Sequence, residues 1–242
     1  MANQFLIKET MTQMKNLLLS EIDGLKGDNP IYAGVQLLGY HKKGDTPAPI
    51  IYYYVDLQNE PDPGPDDGGS VIVVGGIKLF HNYVSDINLL YFGLQEGQVL
   101  NSYLTKALRI TANTGSFTII PKGSFLIDRS YTPVFNARIK GIDRNLTKII
   151  LNPATATDSG DFENYMFLNL NGNFELTDVD LDANAPNLPT SVSRSSGIDN
   201  RNAVSNATYK RLRIKNAKTV SPNFCGGYGI KELLFSFELQ SA

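Results

Sequence analysis

FELTDVDLD, residues 174–182, and RLRIKNA, residues 211–217, are the two stretches whose reading decides the fold. In the first, a period of two puts Phe174 and Leu176 on one side, and after a bend Val179 and Leu181 return to the same interior. In the second, Leu212 and Ile214 point inward while Arg211, Arg213 and Lys215 point out. Stacking Val179 on Leu212 and Leu181 on Ile214 sets Asp180 beside Arg213 and Asp182 beside Lys215. These are opposite charges on neighbouring strands about 4.8 Å apart. The carboxylates of Asp178, Asp180 and Asp182 are expected to point outward. Asn184 and Asn216 fall close to one turn position, where stacked asparagines exchange amide hydrogen bonds.

A third segment, ARIKGIDRN from Ala137, overlays on the other two, with alternating residues that end in a turn former. The spacing of roughly 35–45 residues suits irregular solenoid coils carrying loop insertions. Strands are expected at 117–120, 125–127 and 233–239. Upstream, Leu100, Leu104, Ala107, Leu108 and Thr111 share one helical face, with Asn101 or Ser102 placed to cap its start. A solenoid exposes an unfinished core at its first coil, and this amphipathic helix is expected to cover it. The fold class is therefore mainly β: a small β-rich N-terminal module with a short helix, residues 1–86, then a short right-handed parallel β-helix with a capping helix, residues 87–242.

Within the module, Met11, Met14, Leu17, Leu18 and Ile22 recur at helical spacing, with Thr10 as N-cap and Gly24 as stop. The resulting helix packs on its own domain or docks to a larger assembly. Strands at 35–40, 50–55 and 71–74 follow, separated by Gly, Pro and Asp clusters. The stretch NEPDPGPDDGG, residues 59–69, reads as an exposed loop. Its prolines break the alternating-ligand spacing of a calcium loop, so no metal or cofactor is expected there.

Composition narrows the function classes. Hydrophobic residues are 42% and charged residues 19%, and 22 basic against 24 acidic residues leave a formal net charge of -2. No global field draws such a chain to nucleic acid or to an anionic membrane. The apolar runs are far shorter than the roughly 20 residues needed to cross a bilayer, so no membrane insertion is expected, and no export signal is visible at the N-terminus. A single cysteine, Cys225, forms no intramolecular disulfide, and two histidines, His41 and His81, do not make a His-rich metal site. Cys225 reads as a packed thiol rather than a nucleophile, and the glycines at 226, 227 and 229 lack the strand-to-helix setting of a phosphate loop.

Two passages resemble the N-terminal architecture of phage tailspike and tail-fibre proteins of the pectate-lyase-like β-helix superfamily. One is VQLLGYHKKGDTPAPIIYYYVD, residues 35–56, followed by DDGGSVIVVGGIKLF, residues 66–80. The other is INLLYFGLQEGQVLNSYLTKALRITANTGSFTIIPKGSFLI, residues 87–127. The chain departs from that pattern at Gln95-Glu96-Gly97-Gln98 and at Thr46-Pro47-Ala48-Pro49. The resemblance implies a virion surface spike or tail component, whose expected partners are two further copies in a homotrimer, other virion proteins through the N-terminal module, and a host-surface glycan.

Members of that superfamily often cleave polysaccharides, and the row Asp178, Asp180, Asp182 offers the carboxylates for hydrolysis if two stand about 5 Å or about 6.5–9.5 Å apart. A general acid needs a raised pKa, and cationic neighbours lower it, so the preferred reading of this row is a structural charge ladder. Tyr209, Arg211, Arg213 and Tyr228 are the ligand-binding candidates, with core packing as the competing role for Tyr209, Phe224 and Tyr228. The chain has no tryptophan for a sugar platform, and only three or four coils fit after residue 117. The leading expectation is a non-catalytic attachment protein; the rival is a polysaccharide lyase or glycoside hydrolase, whole or in part.

Overall fold

The computed structural model describes residues 4–157, 164–200 and 206–218, together with the backbone of residues 232–237. The chain divides into two compact units, residues 1–84 with 90–94 and residues 85–89 with 95–242.

The first unit is a five-stranded sheet. In chain order it comprises β1 (Gln4–Lys8), α1 (Met11–Met14), α2 (Leu19–Asp23), β2 (Tyr32–Leu37), β3 (Ile50–Val55), β4 (Val71–Val74) and β5 (Ile77–Phe80). The strands lie in the order β1-β2-β3-β5-β4; β1 runs parallel to β2 and the others pair antiparallel. Val35, Tyr52 and Leu79 are fully buried and form the centre of its core. The single helix expected at 11–22 is instead two short ones. Thr10 does cap the first, its hydroxyl accepting from the Gln13 N–H, and Gly24 does end the second. Between them the chain breaks because Glu21, held by Lys8, accepts the Leu18 N–H and restarts the helix there. Leu18 and Leu19 consequently stand exposed. The strand expected at 35–40 lies three residues earlier, since Asp45 binds the N–H groups of Tyr40, His41 and Lys42 into a turn.

The second unit is a stack of parallel coils. It opens with β6 (Ile87–Asn88) and α3 (Asn101–Thr114), then β7 (Thr118–Ile120) and β8 (Gly123–Ile127). The next coil carries β9 (Arg138–Gly141), β10 (Thr147–Leu151) and β11 (Asn164–Asn169). The one after carries β12 (Glu175–Thr177), β13 (Asp180–Asp182) and β14 (Ser195–Asn200), and the stack continues through β15 (Thr208–Lys215) to β16 (Glu232–Phe237). All pairings in this unit are parallel: β6-β7-β9-β12-β15 form one ladder, β8-β10-β13-β15 a second and β11-β14 a third, with β16 added on β15. The interior holds Ile139, Leu176 and Tyr209 in register on the first ladder, and Phe125, Ile149, Leu181 and Ile214 on the second.

The pairing of β13 with β15 is Asp180 to Arg213, Leu181 to Ile214 and Asp182 to Lys215, the register expected from alternation alone. Val179 and Leu212 are both fully buried, and the Val179 carbonyl accepts the Arg213 N–H. The overlay of ARIKGIDRN on the Asp180 strand does not hold. That segment is β9, which pairs with β12, while the strand beneath β13 is β10. Period two alone cannot tell one flank of a coil from the next.

The coil corners explain the geometry. Asn136, Asn173 and Asn206 have φ of 63°, 47° and 63° where successive coils enter the first ladder. Asp178 and Arg211, with φ of 60° and 50°, turn the chain from the first ladder into the second, and Asn184 and Asn216 leave the second at 58° and 52°. Asparagine and aspartate tolerate this left-handed region, whereas arginine seldom adopts it. One coil below Asp178 the corner holds Gly141, where a Cβ would lie 2.2 Å from the Asp178 carbonyl oxygen. Asn184 and Asn216 do share a turn level, with the Asn216 carbonyl accepting the Ala185 N–H, but their amides bond elsewhere, to the Leu151 carbonyl and the Asp182 carboxylate. The amide-to-amide stacking expected there occurs between Asn136 and Asn173, at 2.9 Å, and between Asn169 and Asn200, at 2.6 Å.

Helix α3 packs on β7 and β9 through a face that buries Leu104, Ala107, Leu108 and Thr111, with the Thr111 and Thr118 hydroxyls 2.9 Å apart. Its N-cap is Leu100, not Asn101 or Ser102. The Asn101 side chain instead accepts from the Asp128 N–H. Gly115, with φ of 72°, ends the helix in the left-handed conformation that glycine adopts without a Cβ clash.

Candidate functional site

Two polar surfaces of the coiled unit have the chemistry to engage a ligand. The first is the row anticipated from sequence. Asp178, Asp180 and Asp182 do not project freely into solvent: each is buried, because cations from the flanking strands fold over them. Arg211 forks onto Asp178 with contacts of 2.5 and 2.7 Å. Lys215 reaches diagonally to Asp180 at 2.7 Å, Arg213 lies 3.8 Å from the same oxygen, and Lys148 meets Asp182 at 2.8 Å. Asp182 also accepts from Asn216 and from the Asn184 N–H.

This arrangement sets the electrostatics. The Arg211 guanidinium, against the cost of burial and with help from the Thr177 hydroxyl, holds the Asp178 carboxyl below its ordinary value. Burial pushes the Asp182 carboxyl up, but Lys148, Asn216 and the Asn184 N–H together outweigh it and the net shift is downward. Both groups are committed to the ionised form, the opposite of what a proton donor to a glycosidic oxygen requires. Arg213 also donates to Asn145. Arg211 and Arg213 therefore sit on this surface as partners of carboxylates. Tyr209 is fully buried, with its ring edge-on to Phe174 and its hydroxyl donating to Asn200, so it is part of the core. Tyr228, Phe224 and Cys225 lie outside the described residues.

The second surface was missed by sequence reasoning. A groove of about 480 Å³ crosses three coils beside the C-terminal end of α3. Its walls are the corner asparagines Asn136, Asn173 and Asn206, the Arg138–Glu175 pair and Thr208, and residues 112–115 close one side. Arg138 is held from three directions: its Nε donates to Glu175 at 2.8 Å, one terminal nitrogen donates to the Gly115 carbonyl, and its guanidinium lies 3.9 Å above the Phe117 ring. The signal that would have found the groove is the recurrence of Asn two residues before β9, β12 and β15, obscured by the misaligned overlay of β9.

In the first unit, His41 and His81 each bond a backbone carbonyl, that of Gly93 and of Ile51 respectively, and burial lowers the His81 pKa. The carboxylates of the 59–69 loop are taken up by backbone and by lysines: Asp67 accepts from the N–H groups of Gly69, Ser70 and Val71, Asp62 from Gly64 and Lys78, and Asp66 from Gly68, Val73 and Lys15. Among the described residues no helix is long and apolar enough to cross a membrane.

No protein-family model matches the sequence, and neither does any curated protein. Solved structures do match. The chain is similar to the tailspike protein gp49 of Acinetobacter baumannii bacteriophage Fri1, a capsular polysaccharide depolymerase, with a TM-score of 0.56 at 14% identity over 86% of this chain and 38% of that one. The fold is that of the tailspike parallel β-helices. A second match is Pantoea stewartii WceF, a glycan biofilm modifying enzyme with a bacteriophage tailspike-like parallel β-helix fold, with a TM-score of 0.57 at 14% identity. It covers 88% of this chain and 30% of WceF. The chain thus spans well under half the length of either protein.

Proposed function

We propose that this protein is a virion-associated spike or attachment component, assembled as a homotrimer, whose coiled unit adheres to a host-surface glycan without cleaving it and whose N-terminal unit joins it to other virion proteins. The observation that carries the reading is the order of parts: a small β module followed by stacked parallel coils with the tailspike fold. In this reading α3 covers the apolar floor of the first coil. The ion-paired state of Asp178 and Asp182 supports adhesion over hydrolysis at that row.

A polysaccharide depolymerase, or a part of one, is the second reading, because both similar structures act on glycans. One experiment separates the two. Purified protein is incubated with a panel of bacterial capsular and exopolysaccharides, and both retention of the protein on the polymer and polymer size are followed by chromatography. Retention with unchanged polymer size is expected. A fall in polymer size establishes the depolymerase reading, and absence of retention across the panel removes both. Sedimentation velocity is expected to show a trimer at micromolar concentration.

A further inference from the structure

The groove across Asn136, Asn173 and Asn206 has the chemistry of a sugar-binding subsite. We infer that it binds a neutral oligosaccharide segment laid along the coil axis; the inference rests on the glycan-adhesion reading and names its site and ligand class.

Three features of the groove support this. First, the same amide recurs at the same corner of three successive coils, which stack about 4.8 Å apart, a step comparable with the advance of one sugar ring along an extended glycan. Each amide offers two donors and one acceptor, the pattern that meets a hydroxyl in either role. Within the ladder only the Asn173 amide nitrogen and the Asn136 oxygen are consumed, by each other. The Asn136 amide nitrogen and the whole Asn206 amide have no bond to any other described residue, and both residues are exposed.

Second, the floor is rigid before any ligand arrives. Arg138 is fixed by Glu175, the Gly115 carbonyl and the Phe117 ring, so its remaining donors and the second Glu175 oxygen are already oriented. Pre-oriented groups lose little entropy on binding, which matters most for weakly bound polar ligands.

Third, the local charge selects against anions. Among the described residues the one cation lining the groove, Arg138, is paired with Glu175, and the carbonyl end of the 14-residue helix α3 turns its partial negative charge toward the same space. A uronic acid carboxylate faces Glu175 and the helix terminus and is disfavoured, whereas a neutral hexose meets amide dipoles and an ion pair of no net charge. The volume, about 480 Å³, lies in the range of small-ligand clefts.

The test uses the full chain in ligand-observed NMR titrations with malto-, cello- and mannohexaose as neutral probes and hexagalacturonate as the anionic probe. The key variant is Asn136→Gly with Asn206→Gly, because glycine keeps the left-handed corner while removing the amide. The control is Lys106→Ala with Arg109→Ala, in a separate cleft of α3 beside Tyr131. At least one neutral hexasaccharide is expected to bind, at least tenfold more weakly to the glycine variant and equally to the control, with hexagalacturonate weaker than the neutral probe. Unchanged neutral binding in a glycine variant that melts like the parent overturns the assignment yet leaves glycan adhesion standing, with its site elsewhere. Preference for hexagalacturonate overturns it too. Absence of binding to every probe also overturns it, and retention on whole polysaccharides in the preceding assay then decides separately whether the adhesion reading survives.

Discussion

In the N-terminal unit the carboxylates of Asp45, Asp56, Asp62 and Asp67 accept backbone N–H groups close by in sequence, whereas in the coiled unit side chains at the coil corners and on the charged row reach segments a whole coil away. Asp45 binds N–H groups three to five residues upstream, and Asp56, Asp62 and Asp67 bind those two to four residues downstream. In the coils, Asn173 reaches Asn136, Arg211 reaches Asp178, Lys215 reaches Asp180 and Asn216 reaches Asp182, across 37, 33, 35 and 34 residues. The first arrangement shapes each turn from within, with ion pairs from Lys15 to Asp66 and from Lys78 to Asp62 added across the unit. The second makes a coil dependent on the coils above and below, as in other solenoids. The same residue type, aspartate, thus holds turns in both units, as Asp67 and Asp143 do, but only in the coils do Asp178, Asp180 and Asp182 also clamp one coil to the next.

The contrast can be broken or sharpened by substitution, beginning with the largest effect. Phe174 is fully buried between Phe167 and Tyr209, and Phe174→Ala is expected to cost about 3–5 kcal/mol in denaturant unfolding of the coiled unit. Asp182→Ala leaves Lys148 and Asn216 facing a buried gap and is expected to cost about 3 kcal/mol. Hydrogen exchange should then rise in residues 147–151 and 213–216 as well as at 180–184. If the loss of protection stayed within 180–184, the coils would be energetically separate and the comparison would fail. Asp67→Ala removes three backbone hydrogen bonds and is expected to cost about 2 kcal/mol, with faster exchange confined to residues 66–74. Thr10→Ala, at the cap of a four-residue helix, should cost no more than about 1 kcal/mol.

Acid provides a common challenge to both units. The carboxyls of Asp178 and Asp182 in the coils, and of Asp45 in the module, have folded pKa values below their unfolded ones. For Asp45, burial acts upward and the N–H groups of Tyr40, Lys42 and His41 outweigh it. Groups shifted in this direction contribute stability that is full above the unfolded value, near 4, and is lost as pH falls through the folded value. Melting temperature is therefore expected to decline slightly from pH 7 to 5, where His81, its pKa lowered by burial, takes up a proton more readily in the unfolded chain, and to fall steeply below about pH 4. Asp182→Asn should make that fall shallower, and an unaltered slope would show that the inter-coil clamp carries no linkage.

Much of the coiled unit was legible because period-two alternation in FELTDVDLD and RLRIKNA states which side chains face inward, and opposite charges at 180, 182, 213 and 215 admit only one register. The position of α3, with its buried face at Leu104, Ala107, Leu108 and Thr111, was equally plain from 3.6-residue spacing. The strands β11 and β14 were not legible. SSGIDN is buried along its whole length and NYMFLN at every position but Leu168, so no polar face alternates with an apolar one. Nor was the break near Leu18 visible, since the side chain that causes it, Glu21, is itself anchored by Lys8 from a strand with no local signature.

By itself, then, the amino-acid order determined the pleat: which residues of each strand enter the interior and which stand opposite one another across β13 and β15, though Lys215 turns to Asp180 and Lys148 takes Asp182. Periodicity is a property of a single strand and needs no partner to be expressed. Which flank of a coil each strand occupies, that three asparagines line one groove, and that the aspartates are covered were decided only by tertiary structure. Those facts depend on how many residues each corner consumes, and a corner is shaped by a backbone conformation and by atoms of the coil beneath it, as Gly141 under Asp178 shows.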